Sequence, residues 1–96
     1  MPTTPQTFLV EHYWPGITPE RFEAAAEQVR RCATLLADDG AGIRFLHSTL
    51  VLKDESAFCV FAADSRTLVE EVYACAGVAY ERVLDAYEVA IDREDP

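Results

Sequence analysis

Positive charge is scarce in this chain of 96 residues: eight Lys and Arg stand against seventeen Asp and Glu, for a net charge of -9. A duplex-binding protein needs a cationic surface to displace counterions. Nucleic acid and anionic membranes are therefore not expected partners. A cation or a basic partner fits the field better, although acidity also serves solubility alone. Long apolar runs are missing too. None approaches the roughly 20 residues of a membrane helix. The N-terminal stretch has no basic region followed by an apolar run, so no secretory leader is expected.

Cysteine is limited to Cys32, Cys59 and Cys75, an odd set without CxxC spacing. That pattern argues against a disulfide framework and for a reducing, cytoplasmic compartment. Catalytic signatures are lacking as well. There is no GxSxG, no Gly-rich phosphate loop and no HExxH, which points away from an enzyme. No repeat, linker or low-complexity segment divides the chain, so residues 1–96 read as one small domain with loose ends at 1–6 and 92–96.

What is present is a sequence of periodic segments. Thr7–Trp14, Ile43–Leu52, Ala57–Ala63 and Val83–Ile91 alternate like strands, and Pro19–Ala37 and Arg66–Ala76 repeat like helices. Thr18 with Pro19, and Asp64 or Ser65, supply helix starts. Gly77 supplies a helix end. The helical stripes are Phe22, Ala25, Ala26, Val29, Cys32, Ala33 and Leu36 in the first, and Leu68, Val69, Val72, Cys75 and Ala76 in the second. Cys32 and Cys75 thus read as core residues packed between helix and sheet.

The order strand–helix–strand–strand–helix–strand is the ferredoxin-like split βαβ arrangement. The expected fold is α+β, a four-stranded antiparallel sheet of order 4-1-3-2 with two helices on one face. The strands are apolar on both faces, and the helices cover only one. A homodimer burying the second face is expected, since a large exposed apolar patch is unusual on a monomer.

Four strand residues could bind or react: Glu11, His12, His47 and Cys59. Imidazole and thiolate suit nickel, zinc or copper. Glu11 and His12 are adjacent, so they point to opposite faces. Whether Cys59 shares a face with His47 depends on the Lys53–Ser56 turn, which the sequence leaves open. A lone strand cysteine is more often a small buried hydrophobe, and a thiol between Phe58 and Val60 has a raised pKa.

A family likeness runs through Phe8-Leu9-Val10-Glu11-His12, Pro15-Gly16-Ile17-Thr18-Pro19-Glu20, Arg44-Phe45-Leu46-His47-Ser48-Thr49, Phe58-Cys59-Val60-Phe61-Ala62-Ala63, Ala76-Gly77-Val78 and Arg82-Val83-Leu84-Asp85-Ala86. In order and spacing these blocks resemble the small bacterial ferredoxin-like domains long grouped as a domain of unknown function. Some members are described as nickel-binding or nickel-responsive. The resemblance covers Phe8 to Ala90. It implies a subunit that dimerises through its sheet and a nickel site. Glu11, His12, Ser48 and Cys59 match the family's pattern. His47 stands where relatives often carry arginine, and Ala62-Ala63 lacks the acidic residue often found just after that block. The expected function is binding of a divalent transition metal, nickel first, by His12, His47, Cys59 and Glu11. A second expectation, from fold analogy, is a monooxygenase- or cyclase-like half-barrel holding a small organic substrate between Tyr13, Trp14, Phe45, His47 and Tyr87. A third is an interaction module without a ligand.

Overall fold

A computed structural model describes residues 5–89. Residues 1–4 and 92–96 of the expected loose ends, and Ala90 and Ile91 of the expected last strand, lie outside the described residues. The elements are β1 (Gln6–Tyr13), α1 (Pro19–Asp38), β2 (Ile43–Val51), β3 (Ser56–Ala63), α2 (Arg66–Ala76) and β4 (Arg82–Ala86). The sheet is antiparallel and ordered β2-β3-β1-β4, which is the expected 4-1-3-2 read from the other edge.

Local chemistry sets the helix ends. The Thr18 hydroxyl accepts the Arg21 N–H at 3.2 Å, with Pro19 next in line. The Ser65 hydroxyl does the same for Leu68 at 3.4 Å. Each satisfies a donor that the first turn leaves orphaned. Gly77 closes α2 at φ 66°, in the left-handed region that favours glycine. On α1, Glu27 pairs with Arg30 and also reaches Arg31 at 3.8 Å.

The alternation of β1 points Phe8, Val10 and His12 toward the helices, where all three are buried. Ala57, Cys59, Phe61 and Ala63 of β3 and Val83 of β4 share that side, with Val29, Val69, Val72 and Tyr73 packed over them. Val10, Phe61, Val69 and Val72 lose essentially all solvent contact. Burial of each such side chain stabilises by about 1.5–3 kcal/mol.

Three expectations need correction. First, β4 ends at Ala86 rather than continuing toward Ile91. Ala86 already pairs with Thr7, so a longer β4 would run off the start of β1 toward Pro5, which has no N–H to offer. Second, β2 does not keep one parity. The register slips between Phe45, opposite Phe61, and His47, opposite Val60, leaving Leu46 as an extra residue. Such a bulge reverses the facing of everything beyond it. Ile43 and Phe45 face the helices, but His47, Thr49 and Val51 face away. Ser48 and Leu50 take the inward places, and Leu50 packs against the core.

Third, Cys32 and Cys75 are joined as a disulfide between α1 and α2, with Cα atoms 6.0 Å apart. Cys32 is buried as expected, but Cys75 is exposed. An odd cysteine count did not prevent pairing. Cys59 is the free thiol. The bridge spans 43 residues, and closing a loop of that length stabilises by about 4 kcal/mol in the chain-entropy model. Replacing both cysteines by alanine should lower the unfolding free energy by about 2–4 kcal/mol in urea denaturation. Denatured protein purified without reductant should titrate as one thiol per chain. Three thiols under those conditions would rule the bridge out.

Candidate functional site

His12 sits near the end of β1, where the alternation that buries Phe8 and Val10 brings it beneath α2. Its Nδ1 lies 3.0 Å from the Ala79 carbonyl, and its Nε2 lies 3.0 Å from the Tyr73 hydroxyl. A carbonyl only accepts, so Nδ1 carries the proton and donates to it. Nε2 is then an acceptor, and the Tyr73 O–H donates to it. The Cys59 thiol lies beside the Tyr73 hydroxyl, and each influences the other's titration. The Tyr73 hydroxyl thus donates to His12, and His12 donates to the Ala79 carbonyl. Among the described residues, no buried side-chain nitrogen or oxygen is left without a partner.

Burial dominates the titration of this group. Desolvation holds the His12 imidazole below the ordinary histidine value, against a smaller opposing effect of its bond to Ala79. Burial raises the Cys59 thiol, partly offset by the neighbouring Tyr73 hydroxyl. Burial also pushes the Tyr73 phenol far up, and the neighbouring Cys59 pushes it further. All three are neutral at pH 7. The Tyr73 ring also makes edge contacts with Phe61 and Tyr80, at centroid distances of 5.9 and 5.1 Å.

Glu11 and His47 lie on the other face of the sheet. Glu11 is opposite Arg82 in the register, and its Oε1 accepts the Arg82 Nε–H at 2.7 Å. His47 is exposed, and its Nε2 lies 3.5 Å from Oε1 of Glu88, beyond the end of β4. The question left open by the turn is therefore decided: Cys59 is paired with Ser48, and His47 stands opposite Val60. The structure brings His12 and Cys59 together through Tyr73, and separates both from His47 and Glu11. Among the described residues, no group of three or more His, Cys, Asp or Glu gathers to hold a metal.

A cavity of about 360 Å³ opens beside His12 at the rim of the sheet, lined also by Tyr13, Trp14, Gly77, Val78, Ala79, Tyr80 and Glu81. Tyr13 and Trp14 were expected at a pocket. Phe45 and Tyr87 instead line other depressions, and His47 stands on the uncovered face. Sequence reasoning missed Tyr73, Tyr80 and Glu88. Tyr73 had a readable signal: it lies four residues after Val69 and three before Ala76, on the same helical stripe. Tyr80 and Glu88 had none, because a turn and a strand end fix their positions.

The arrangement is that of a ferredoxin-like domain with a polar relay inside its core and an uncovered sheet face. Residues 8–85 match the family described as nickel responsive protein SCO4226-like, and the chain belongs to that family. The crystal structure of SCO4226 from Streptomyces coelicolor A3(2) is similar, with a TM-score of 0.69 and 18% identity, covering 88% of this chain and 99% of that one. At this identity the likeness speaks for the fold. No curated protein matches the sequence. No helix among the described residues is long and apolar enough to cross a membrane.

The relay generates a pH dependence. With the folded value of His12 below about 6.5, the unfolded chain takes up the proton first as pH falls. The stability contributed by neutral His12 is intact above that value and is lost progressively below it, by up to ~1.4 kcal/mol per pH unit. Thermal midpoints from about pH 7.5 down to 5 should fall in wild type. In His12→Gln the midpoint should start lower, and its pH slope should flatten. An unchanged slope in the variant would show that His12 is not the titrating group.

Proposed function

We propose that the protein is a small homodimer that binds a divalent transition metal, nickel first, at its uncovered sheet face. Membership of a family named for nickel responsiveness carries this reading. One feature of the geometry supports it. His47 and Glu88 put an imidazole nitrogen and a carboxylate oxygen 3.5 Å apart on an exposed surface, and both atom types suit nickel. Two donors from one subunit do not complete a coordination sphere. A two-fold axis through that face would bring the pair from each copy together and supply four.

The core pair fits an ion poorly. The Tyr73 hydroxyl is bonded to His12 and lies beside Cys59, and a thiol with a raised pKa resists the deprotonation that binding requires. Glu11 is held by Arg82. These three remain in the test set because the resemblance points to them. The helix-free face favours the dimer: Leu9 and Leu84 are half-buried on it, with Tyr87 and Val89 exposed beyond the end of β4, although Val60 at its middle is already buried within the chain. The acidic surface would concentrate cations without choosing among them. The cytoplasmic placement expected from the cysteines rested on their being unpaired. The Cys32–Cys75 bridge withdraws that support.

Calorimetric titration of nickel into wild type, His47→Ala, Glu88→Gln, His12→Ala, Cys59→Ala and Glu11→Gln tests the metal reading. Loss of binding heat is expected in the first two variants. An imidazole ligand must be neutral, so wild-type affinity should also weaken as pH falls into the histidine range. No heat in wild type would overturn the reading; loss only in His12→Ala and Cys59→Ala would move the site into the core. Light scattering at micromolar concentration should give twice the chain mass of 10.7 kDa. A stable monomer would remove the dimer.

A further inference from the structure

We propose that the cavity beside His12 is a second binding site, independent of any metal, and that it takes a small organic cation: an amine with an apolar body. The volume, about 360 Å³, lies at the lower end of the ~300–1,000 Å³ of small-molecule pockets. Its walls include three aromatic side chains, Tyr13, Trp14 and Tyr80, brought together from the end of β1 and the loop between α2 and β4. Aromatic faces carry a negative quadrupole, and walls of this kind attract alkylammonium groups.

The charge of the site has one sign. Glu81 is the single ionised side chain in the lining, and among the described residues it forms no ion pair. No lysine or arginine lines the cavity. Arg21 lies over the Trp14 ring, 5.8 Å from its centroid, but is not part of the lining. His12 contributes no positive charge, because both of its nitrogens are committed, one donating to Ala79 and one accepting from Tyr73. A bound anion would meet Glu81 unpaired, in a chain that already carries a net charge of -9. A cation would meet a carboxylate at the wall and aromatic faces around its body.

The relay gives the site a rigid side. Tyr80 packs edge-on against Tyr73, which is itself held by the His12 hydrogen bond and the Phe61 ring. One aromatic wall is therefore placed by the protein core and needs little ordering when a ligand enters, which favours affinity.

Trp14 is the sole tryptophan, so its fluorescence reports directly on occupancy. Metal-free protein in the presence of a chelator would be titrated with 2-phenylethylammonium, 2-phenylethanol and 3-phenylpropanoate at neutral pH. These probes share a ring and differ in charge. The ammonium should give a saturable change, the alcohol a weaker one and the carboxylate none. Glu81→Gln, a change at an exposed residue, should weaken the ammonium about tenfold, the effect of one charge-assisted contact, and leave the alcohol unchanged. Tyr80→Leu should weaken the ammonium more than the alcohol. Equal binding of carboxylate and ammonium, or no saturable change with any probe up to millimolar concentration, would overturn the proposal. The chelator keeps either result separate from the outcome of the nickel titration.

Discussion

The alternation of β1 is the constraint on which the buried relay and the cavity beside it depend. This strand is paired on both sides, with β3 and with β4, so it cannot rotate or slip without breaking two ladders. Phe8 and Val10 are fully buried on one side of it. A slip of one residue would expose both and bury Glu11 instead. The hydrophobic cost of that slip fixes the register, and the register carries His12 inward and Glu11 outward. The relay, the cavity and the face with Glu11 and Arg82 are consequences of that one packing requirement.

The inward histidine imposes its own demand. A buried imidazole without partners would be costly, because its polar atoms lose water and gain nothing. Ala79 and Tyr73 meet that demand at 3.0 Å each. Tyr73 is then tied to β1, with Cys59 of β3 beside it. The polar chain thus stitches α2 and its following loop to β1. The disulfide stitches α2 to α1 on the other side. Between them, the helix layer is held to the sheet by directional contacts as well as by apolar packing.

The opposite face lacks both kinds of tie. It carries an ion pair between Glu11 and Arg82, a looser pair between His47 and Glu88, and apolar side chains between them. Exposed ion pairs contribute little, typically ~0–1 kcal/mol, so they do not explain why these residues stand there. A functional reading of this face gives them a use, as metal donors or as complementary charges across a two-fold axis. The two proposed sites, on the uncovered face and at the rim beneath α2, share no residue.

The sequence by itself determined the element order, the sheet order and both helix starts, because strand period, helix period and the Thr18 and Ser65 caps are local signals. It also determined that Glu11 and His12 part company, since adjacent strand residues must. It marked Cys59 as more often a small buried hydrophobe than a ligand, and left open which face it takes. Tertiary structure decided the rest. The turn after Val51 set His47 and Cys59 on opposite faces, and the bulge at Leu46 brought Ile43 and Phe45 back toward the helices; no propensity at Leu46 announced it, because a bulge answers the partner strand. The pairing of Cys32 with Cys75 depended on how two helices cross over the sheet, which stripe patterns do not encode. Tyr73 became the centre of the relay only once α2 lay above His12, because a hydrogen bond between residues 61 positions apart exists only after the chain has folded.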